Sequence, residues 1–222
     1  MLEKKGSNSA VELPTSVQLY QELMGNRIEV ENFVGTAFLK AYGARIDQFL
    51  PTLMALHSSS GRLLAALGLR DPINERLYLE QYLDQAAEQV LAAAADCEVD
   101  RRELIEVGNF AVGAVGGGRW LITALTAYLH AMGRCWAVFT CGPVLQNAFY
   151  RLGIELIDLA AADPVRLAPE EYHRWGSYYA QKPRIMAANV AQSHQILSAL
   201  FEKECALSLL WLGALQAGRL AT

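Results

Sequence analysis

The sequence predicts an α/β domain, and three observations support that prediction. Residues 102–160 follow the order strand, glycine turn, helix, strand, helix, strand, judged by apolar spacing and β-forming residues. The glycine turn, Gly116, Gly117 and Gly118, stands directly between a strand and a helix. Of the 222 residues, 53% are hydrophobic, which is enough for one sizeable core. We therefore expect the other elements to wrap around residues 102–160.

The strand before the glycines is indicated by β-forming residues at Ile105, Val107, Phe110 and Val112. A charged run precedes them and the glycines follow, as is typical at strand ends. Gly108 interrupts the pattern. A glycine inside a strand indicates a bulge or a close approach of another backbone segment.

The helix after the glycines has an apolar stripe at helical spacing. The stripe comprises Leu121, Leu125, Tyr128, Leu129 and Met132. A glycine turn that opens a helix after a strand favours an anion such as phosphate, because free N–H groups and the positive helix end face the same point. Arg119 would add a charged contact. The alternative is a flexible turn without a ligand, since neither the dinucleotide nor the P-loop glycine pattern is present.

The second half of this unit repeats the order strand, helix, strand. Apolar residues predict the strand and then the inner face of the helix: Trp136, Val138 and Phe139, then Leu145, Phe149 and Leu152. Pro143 fits the first helical turn, and Gly153 ends the helix. Residues 154–160 are predicted as the last strand of the unit.

Periodicity also predicts the elements on the N-terminal side. We expect a flexible tail over residues 1–16, an amphipathic helix over 28–49, and two strands around a polar turn at 58–61. Residues 76–95 are predicted as one helix, because their apolar residues follow helical spacing and alanine favours helices. A single domain is expected over residues 17–204.

On the C-terminal side, a short helix is predicted from Pro169, an aromatic turn over 175–179, a strand over 184–190 and a helix over 192–203. The last stretch, residues 205–222, is strongly apolar but short for a membrane span. We expect a helix packed on the domain or on a second subunit, which leaves a homodimer open. A helix lying on a membrane surface is the alternative, although it would lack the usual basic face.

Composition narrows the classes of function. The net charge is −4 and no basic run occurs, so a nucleic-acid surface is not expected. The four cysteines show neither CxxC pairing nor zinc-ligand spacing, which predicts free thiols and no metal site. The first sixteen residues lack the apolar core of a secretory signal. We expect a cytoplasmic protein without a transmembrane segment, while peripheral membrane contact stays open.

Several segments resemble known families. Asn147, Tyr150 and Gly153 stand in places similar to those of the cofactor-binding helix of the GNAT acetyltransferase superfamily. More narrowly, residues 77–84 (LYLEQYLD), 101–111, 139–154 and 175–179 (WGSYY) resemble the thermostable hemolysin family over most of residues 28–191. A weaker resemblance links residues 106–112 to acyl-homoserine-lactone synthases, with Gly108 and Asn109 in place of their Ser and Arg.

The GNAT resemblance implies a mixed, mostly antiparallel central sheet flanked by helices, here with extra N- and C-terminal helices. It also implies a coenzyme A thioester, or the phosphopantetheine of an acyl carrier protein, as the donor. Glu106 resembles the catalytic base and Tyr150 the tyrosine that protonates the leaving sulfur. The implied donor contacts are Phe110, Ala111 and Val112 for the pantetheine arm, Gly116, Gly117, Gly118 and Arg119 for the phosphates, and Asn147.

Acceptor contacts are expected from Arg70 at a strand end and from Asn109, which would hold the acceptor or polarise the carbonyl. Glu80 and Asp84, four residues apart on the predicted helix, would bind an amine or fix a loop through Arg76; a solvated helix face is the alternative. Trp175, Tyr178 and Tyr179 would line an apolar channel or pack in the core. Glu106 would alternatively form an ion pair with Arg101 or Arg102.

Cys141 offers a different chemistry, because a thiolate between a strand end and a helix start would be stabilised. A Cys–His nucleophile needs a histidine nearby, and none of the four histidines lies in a motif that places one there. The simpler expectation is an oxidation-sensitive loop thiol.

These observations together predict an N-acyltransferase. It would move an acyl group, of medium or long chain by analogy with the lactone synthases, from acyl-coenzyme A or an acyl carrier protein to a small amine such as an amino acid. Two rival classes remain open at this stage: a membrane-active hemolysin, and an acyl-coenzyme A-binding protein without catalysis.

Overall fold

The computed structural model describes residues 12–73, 75–201 and 205–221. Its sheet has seven strands in the order β1-β2-β3-β4-β5-β7-β6. The strands are β1 (Pro14–Gln21), β2 (Thr52–Ser58), β3 (Leu63–Arg70), β4 (Leu104–Val112), β5 (Trp136–Cys141), β6 (Ile157–Ala161) and β7 (Arg184–Asn189). All neighbours are antiparallel except β4 and β5, which are parallel. The predicted mixed, mostly antiparallel sheet is confirmed.

Seven helices flank this sheet in the described residues. They are α1 (Arg27–Tyr42), α2 (Ala87–Ala95), α3 (Gly117–Ala131), α4 (Pro143–Arg151), α5 (Pro169–Arg174), α6 (Val190–Phe201) and α7 (Cys205–Leu220). Short 3₁₀ turns lie at Tyr78–Tyr82, Arg101–Glu103, Pro164–Arg166 and Tyr178–Gln181. The order strand, glycine turn, helix, strand, helix, strand of the central unit is confirmed.

The parallel strands β4 and β5 separate in the middle of the sheet. Their pairing ends at Val107 and Phe139, although β4 continues to Val112. At this point β4 also carries an irregularity in its pairing with β3, and Asn109 has a left-handed φ of 50°. The irregularity agrees with the bulge that Gly108 predicts, and a Cβ on Gly108 would lie 3.0 Å from the Leu50 side chain.

Helix α3 is buried on nearly all sides, because the sheet covers one face and α6 and α7 cover others. Four residues of its predicted stripe are buried and Met132 is half-buried. Helix α7 packs on α3 and β1 of the same chain. Leu210 and Ala214 are buried there, and Gly218 lies so close that a Cβ would sit 2.4 Å from the Tyr128 carbonyl oxygen. Within the described ranges, no helix has both the length and the apolar character to cross a membrane.

Two predicted boundaries on the N-terminal side differ from the structure. Strand β1 begins at Pro14, inside the stretch predicted as a tail, and residues 1–11 lie outside the described residues. Helix α1 ends at Tyr42 because Gly43 adopts a left-handed conformation that closes the helix. Residues 44–50 then run without regular structure to β2.

The prediction of one helix over residues 76–95 is wrong. A 3₁₀ turn at Tyr78–Tyr82 is followed by an irregular stretch, and α2 begins only at Ala87. Side-chain carboxylates accept hydrogen bonds from backbone N–H groups here, including that of Ala87, which would bond to the Leu83 carbonyl in a continuous helix. Glu80 accepts from Leu77 and Ala87, and Glu106 accepts from Tyr78 and Leu79. Apolar spacing alone does not reveal this competition.

Candidate active site

A cavity of about 110 Å³ opens beside the point where β4 and β5 separate. Its walls come from the α1–β2 connection, the end of β3, the turn after it, β4, and the segment around α5. Polar and charged residues in the wall include Arg45, Asp47, Arg70, Glu106, Asn109, Thr140, Glu171 and Arg174. Aromatic residues make up much of the rest: Phe38, Phe49, Tyr78, Tyr82, Trp175, Tyr178 and Tyr179.

Glu106 is a buried carboxylate in this wall, with 3% of its surface exposed. Its Oε2 accepts the N–H of Tyr78 at 2.9 Å, and its Oε1 accepts the N–H of Leu79 at 2.7 Å. Arg70 lies 3.8 Å away, so Arg70, and not Arg101 or Arg102, is its ion-pair partner. Burial raises the pKa of Glu106 to about 7, although the hydrogen bonds from the two amides and the charge of Arg70 act to lower it. A carboxyl group with this pKa can exchange a proton near neutral pH.

The aromatic wall is a connected cluster around Trp175. The ring of Tyr178 lies 5.0 Å from the Trp175 ring, and the rings of Phe38 and Tyr78 lie 6.0 Å and 6.4 Å away. The Tyr78 hydroxyl donates to Glu171. Burial raises the pKa of Tyr178 well above its ordinary value, so this phenol stays protonated. The wall is therefore apolar in surface but carries hydroxyl groups.

Some polar groups of the wall lack partners among the described residues, and Arg70 Nε is also buried there without a hydrogen bond. The Thr140 Oγ1 atom is buried without a hydrogen bond, a costly arrangement unless a bound molecule completes it. Arg45 is exposed at the rim, and no described carboxylate pairs with it. Its backbone N–H is fixed by the Arg174 carbonyl at 2.7 Å, and Arg174 pairs with Asp47.

The strand–turn–helix segment lies at the carboxyl end of β4. Gly116 precedes α3 with a φ of 80°, a conformation that favours glycine. Gly117 is buried, and a Cβ there would lie 2.7 Å from a methyl group of Val112. Exposed apolar side chains flank this end of the sheet, with Val115 84% and Val144 77% exposed. Gly118 and Arg119 form the first turn of α3.

The structure brings five predicted site residues to one cavity: Arg70, Glu106, Asn109, Trp175 and Tyr178. Asn109 already uses both ends of its amide, because its Oδ1 accepts the N–H of Leu50 at 2.9 Å and its Nδ2 donates to the Gln48 carbonyl. Asn109 therefore fixes the α1–β2 connection as well as lining the cavity.

Glu80 and Asp84 do not line this cavity. The predicted helix that would have placed them on one face is absent, and the two carboxylates have different ion-pair partners. Glu80 is buried and pairs with Arg101 at 2.6 Å, while the Asp84 side chain is exposed and pairs with Arg166 at 2.5 Å. Arg76 reaches the Glu80 backbone carbonyl and not its carboxylate.

The other predicted residues lie at the carboxyl ends of β4 and β5. Phe110, Ala111 and Val112 occupy the part of β4 beyond its pairing with β5. Asn147 and Tyr150 are exposed on α4, and Tyr150 has 52% of its surface accessible. None of these residues lines the cavity around Glu106.

The expectation of a reactive or oxidation-sensitive thiol at Cys141 is wrong. Cys141 is 1% exposed and packs in the core. Burial raises the pKa of its thiol to about 12, although Gln146 acts in the opposite direction. A thiol in such surroundings is protonated and unreactive at neutral pH.

Sequence reasoning missed several wall residues, among them Arg45, Tyr78, Thr140 and Glu171. Tyr78 and Thr140 lie inside the segments that carry the family resemblance, so those segments contained information about the site. Arg45 and Glu171 stand in no motif, and only the fold brings them to the cavity.

Residues 20–194 match the thermostable hemolysin family. The chain belongs to this family. The membership confirms the resemblance carried by the four motif segments. No protein of curated function matches the sequence.

Solved structures share the fold at low sequence identity. The CoA-dependent acyl-homoserine lactone synthase BjaI has a TM-score of 0.55 and 12% identity, with 89% of this chain and 99% of that chain covered. The AHL synthase LasI has a TM-score of 0.53 and 12% identity, covering 78% and 89%. FeeM, an N-acyl amino acid synthase from uncultured soil microbes, has a TM-score of 0.51 and 15% identity, covering 83% and 99%. This likeness confirms the predicted GNAT-like fold.

Proposed function

We propose that this member of the thermostable hemolysin family is an N-acyltransferase. It moves an acyl group, of medium or long chain, from coenzyme A or an acyl carrier protein to the amine of a small acceptor such as an amino acid. The observation that carries the proposal is Glu106, a buried carboxylate with a pKa of about 7 in the wall of a cavity. The fold shared with acyl-transferring enzymes supports the same reaction class.

The donor is proposed to enter at the carboxyl ends of β4 and β5. Beyond Val107, β4 runs on without pairing to β5, and an extended pantetheine arm can hydrogen-bond to such a strand edge. Phe110, Ala111 and Val112 would supply these backbone groups. The turn at Gly116, Gly117 and Gly118, with Arg119 and the N-terminus of α3, would hold the phosphates, and Asn147 would contact the arm.

The acceptor is proposed to bind in the cavity. At ~10–15 Å³ for each water-sized volume, a cavity of about 110 Å³ has the capacity for a small molecule of amino-acid size. Glu106 would face the amine, and Arg45, which no described carboxylate neutralises, would attract a carboxylate at the rim. An amino acid carries both groups.

In the proposed reaction, Glu106 takes a proton from the acceptor ammonium group, and the free amine attacks the thioester carbonyl carbon. The C–N bond forms, the C–S bond breaks, and the leaving thiolate takes a proton. Tyr150 on α4 is the proposed donor of that proton. The Thr140 hydroxyl, which lacks a partner, is proposed to hydrogen-bond to the carbonyl oxygen as it gains negative charge.

Release of free thiol tests this proposal directly. Purified protein is mixed with acyl-coenzyme A of several chain lengths, or acyl carrier protein, and with pools of amino acids and polyamines, and products are identified by mass spectrometry. We expect thiol release that depends on an acceptor. It should fall about 10²- to 10⁴-fold in Glu106→Gln, the range for loss of a general base.

Asp84→Asn is the matched control, because Asp84 is an exposed carboxylate away from the cavity. This variant should keep wild-type turnover. Binding of acyl-coenzyme A without turnover would favour the non-catalytic binder. Absence of both binding and thiol release with every donor would overturn the proposal.

A further inference from the structure

The turn before α2 offers three successive backbone N–H groups to two carboxylates. The N–H of Leu77 reaches Glu80 Oε2 at 3.0 Å. The next two, from Tyr78 and Leu79, reach the two different oxygens of Glu106. A carboxylate held through both oxygens has a fixed orientation, so this turn sets where the free lone pairs of Glu106 point.

Glu80 and Arg101 hold that turn in place. Glu80 is 5% exposed, and its Oε1 accepts from Arg101 at 2.6 Å and from the Ala87 N–H at 3.0 Å. Although burial would raise the pKa of Glu80, its hydrogen bonds from Arg101 and the backbone outweigh this effect and hold the pKa below its ordinary value. Glu80 is therefore an anion at neutral pH.

Arg101 extends the support to neighbouring segments. It also donates to Glu88 on α2 at 2.8 Å and to the Pro72 carbonyl at 2.9 Å. Arg101 begins the 3₁₀ turn that leads into β4, the strand that carries Glu106. One guanidinium thus joins the chain after β3, the turn, α2 and the start of β4. Neither Glu80 nor Arg101 is among the described residues that line the cavity.

We propose that Glu80, together with Arg101, is a positioning residue for the acyl transfer. It acts through the turn, whose amides orient Glu106, and it does not touch the substrate. This inference rests on the proposed function and assigns Glu80 a role different from amine binding.

The expected pH effect follows from the groups that face Glu106. Burial raises its pKa, while the Tyr78 and Leu79 amides and Arg70 on β3 lower it, and the charge of Glu80 raises it by the smallest amount. Glu171 on α5 connects to this group only through the Tyr78 hydroxyl. When the turn loosens, Glu106 loses its amide donors, so its pKa should rise.

The experiment measures kcat, KM and the pH profile of Glu80→Gln, Arg101→Ala and Arg101→Lys. We expect kcat to fall about 10- to 100-fold in the first two, the scale that a misplaced catalytic group produces, with little change in KM. In the pH profile of kcat, the limb that reports the ionisation of Glu106 should move to higher pH. Arg101→Lys keeps a cation for Glu80 and should recover part of both losses.

Asp84→Asn, in the same segment but on the surface, is the control and should leave the profile unchanged. Thermal unfolding identifies variants that fail to fold. If Glu80→Gln or Arg101→Ala fails to fold, the kinetics of Arg101→Lys are used in its place. Wild-type kcat and an unmoved pH limb in folded Glu80→Gln and Arg101→Lys would overturn the proposal.

A second readout separates this inference from the proposed function. The ionisation of Glu106 is followed in carbon-13-labelled protein, with Glu106→Gln identifying its signal. A higher pKa in Glu80→Gln alongside a wild type that transfers no acyl group would retain the positioning role and reject the acyltransferase. An unchanged pKa of Glu106 in Glu80→Gln, alongside a wild type that transfers the acyl group, would reject the positioning role and retain the acyltransferase.

Discussion

The proposed donor site and the acceptor cavity are built in different ways. The donor site is one continuous stretch, β4 to α4, in which regular elements are joined by glycine turns. The cavity takes its wall from separate parts of the chain: Phe38, residues 45–50, Arg70, Tyr78 and Tyr82, residues 106–109, Thr140, and the stretch from Glu171 to Tyr179. Individual side-chain hydrogen bonds to backbone hold these segments. Single substitutions should therefore disturb the cavity much more than the strand–turn–helix unit.

The largest effect is expected at Glu106 in the cavity wall, whose burial should make the free energy of unfolding depend on pH. Its pKa is raised to about 7 in the folded protein from about 4.3 in an unfolded chain. The folded protein therefore binds this proton more tightly than the unfolded chain does. The stabilisation that results is at its maximum below the unfolded pKa and is lost as pH rises through 7.

Chemical denaturation of wild type and Glu106→Gln at several pH values measures this cost. The difference in free energy of unfolding should shift by roughly 3 kcal/mol in favour of the Gln variant between about pH 4 and pH 8. Glu103→Gln is the control, because Glu103 is a half-buried carboxylate in the 3₁₀ turn before β4, three residues before Glu106 and outside the cavity wall. A constant difference across this range would mean that Glu106 is not perturbed by burial.

A smaller effect is expected at Asn109, which joins the two regions. It belongs to β4, but its amide fixes the 45–50 segment through Leu50 and Gln48. Asn109→Ala removes both hydrogen bonds and places Ala at a φ of 50°. The free energy of unfolding should fall by about 2–3 kcal/mol, and acceptor binding should weaken because the segment that carries Arg45 is released.

Asn109→Asp keeps the acceptor for the Leu50 N–H and should lose less stability. Donor binding should stay near the wild-type level in both variants, as measured by calorimetry with coenzyme A. Equal losses of donor and acceptor affinity would contradict the separation of the two regions.

The smallest effect concerns Arg45 at the rim of the cavity. Arg45→Ala should raise the KM for an amino-acid acceptor about tenfold, equivalent to about 1.4 kcal/mol, which is in the range of one charge-assisted hydrogen bond at an exposed site. The KM for the corresponding amine without a carboxylate should not change. Arg62→Ala is the control, because Arg62 is an exposed arginine that already pairs with Glu12. An equal rise in KM for both acceptors would show that Arg45 does not recognise the carboxylate.

The sequence by itself determined the central unit and the family. Gly116, Pro143 and Gly153 mark element ends through local backbone preferences, and apolar spacing identifies the strands and helices between them. The motif segments identified the family and the GNAT-like fold, and they placed Glu106 on the strand before the glycine turn. These features are local, because each depends on residues that are close together in the sequence.

Only the tertiary structure decided how the cavity is assembled and which groups Glu80 contacts. Helical spacing over residues 76–95 gave the wrong element: Glu80 takes the Ala87 N–H that a continuous helix would use, and Glu106, about 27 residues away in sequence, holds the turn at Tyr78 and Leu79. Other long-range contacts bring Arg45 and Glu171 to the wall, because the Arg45 N–H donates to the Arg174 carbonyl and the Tyr78 hydroxyl donates to Glu171. The burial that raises the pKa of Glu106 and that of Cys141 likewise depends on segments distant in the chain, since desolvation is a property of the packed molecule.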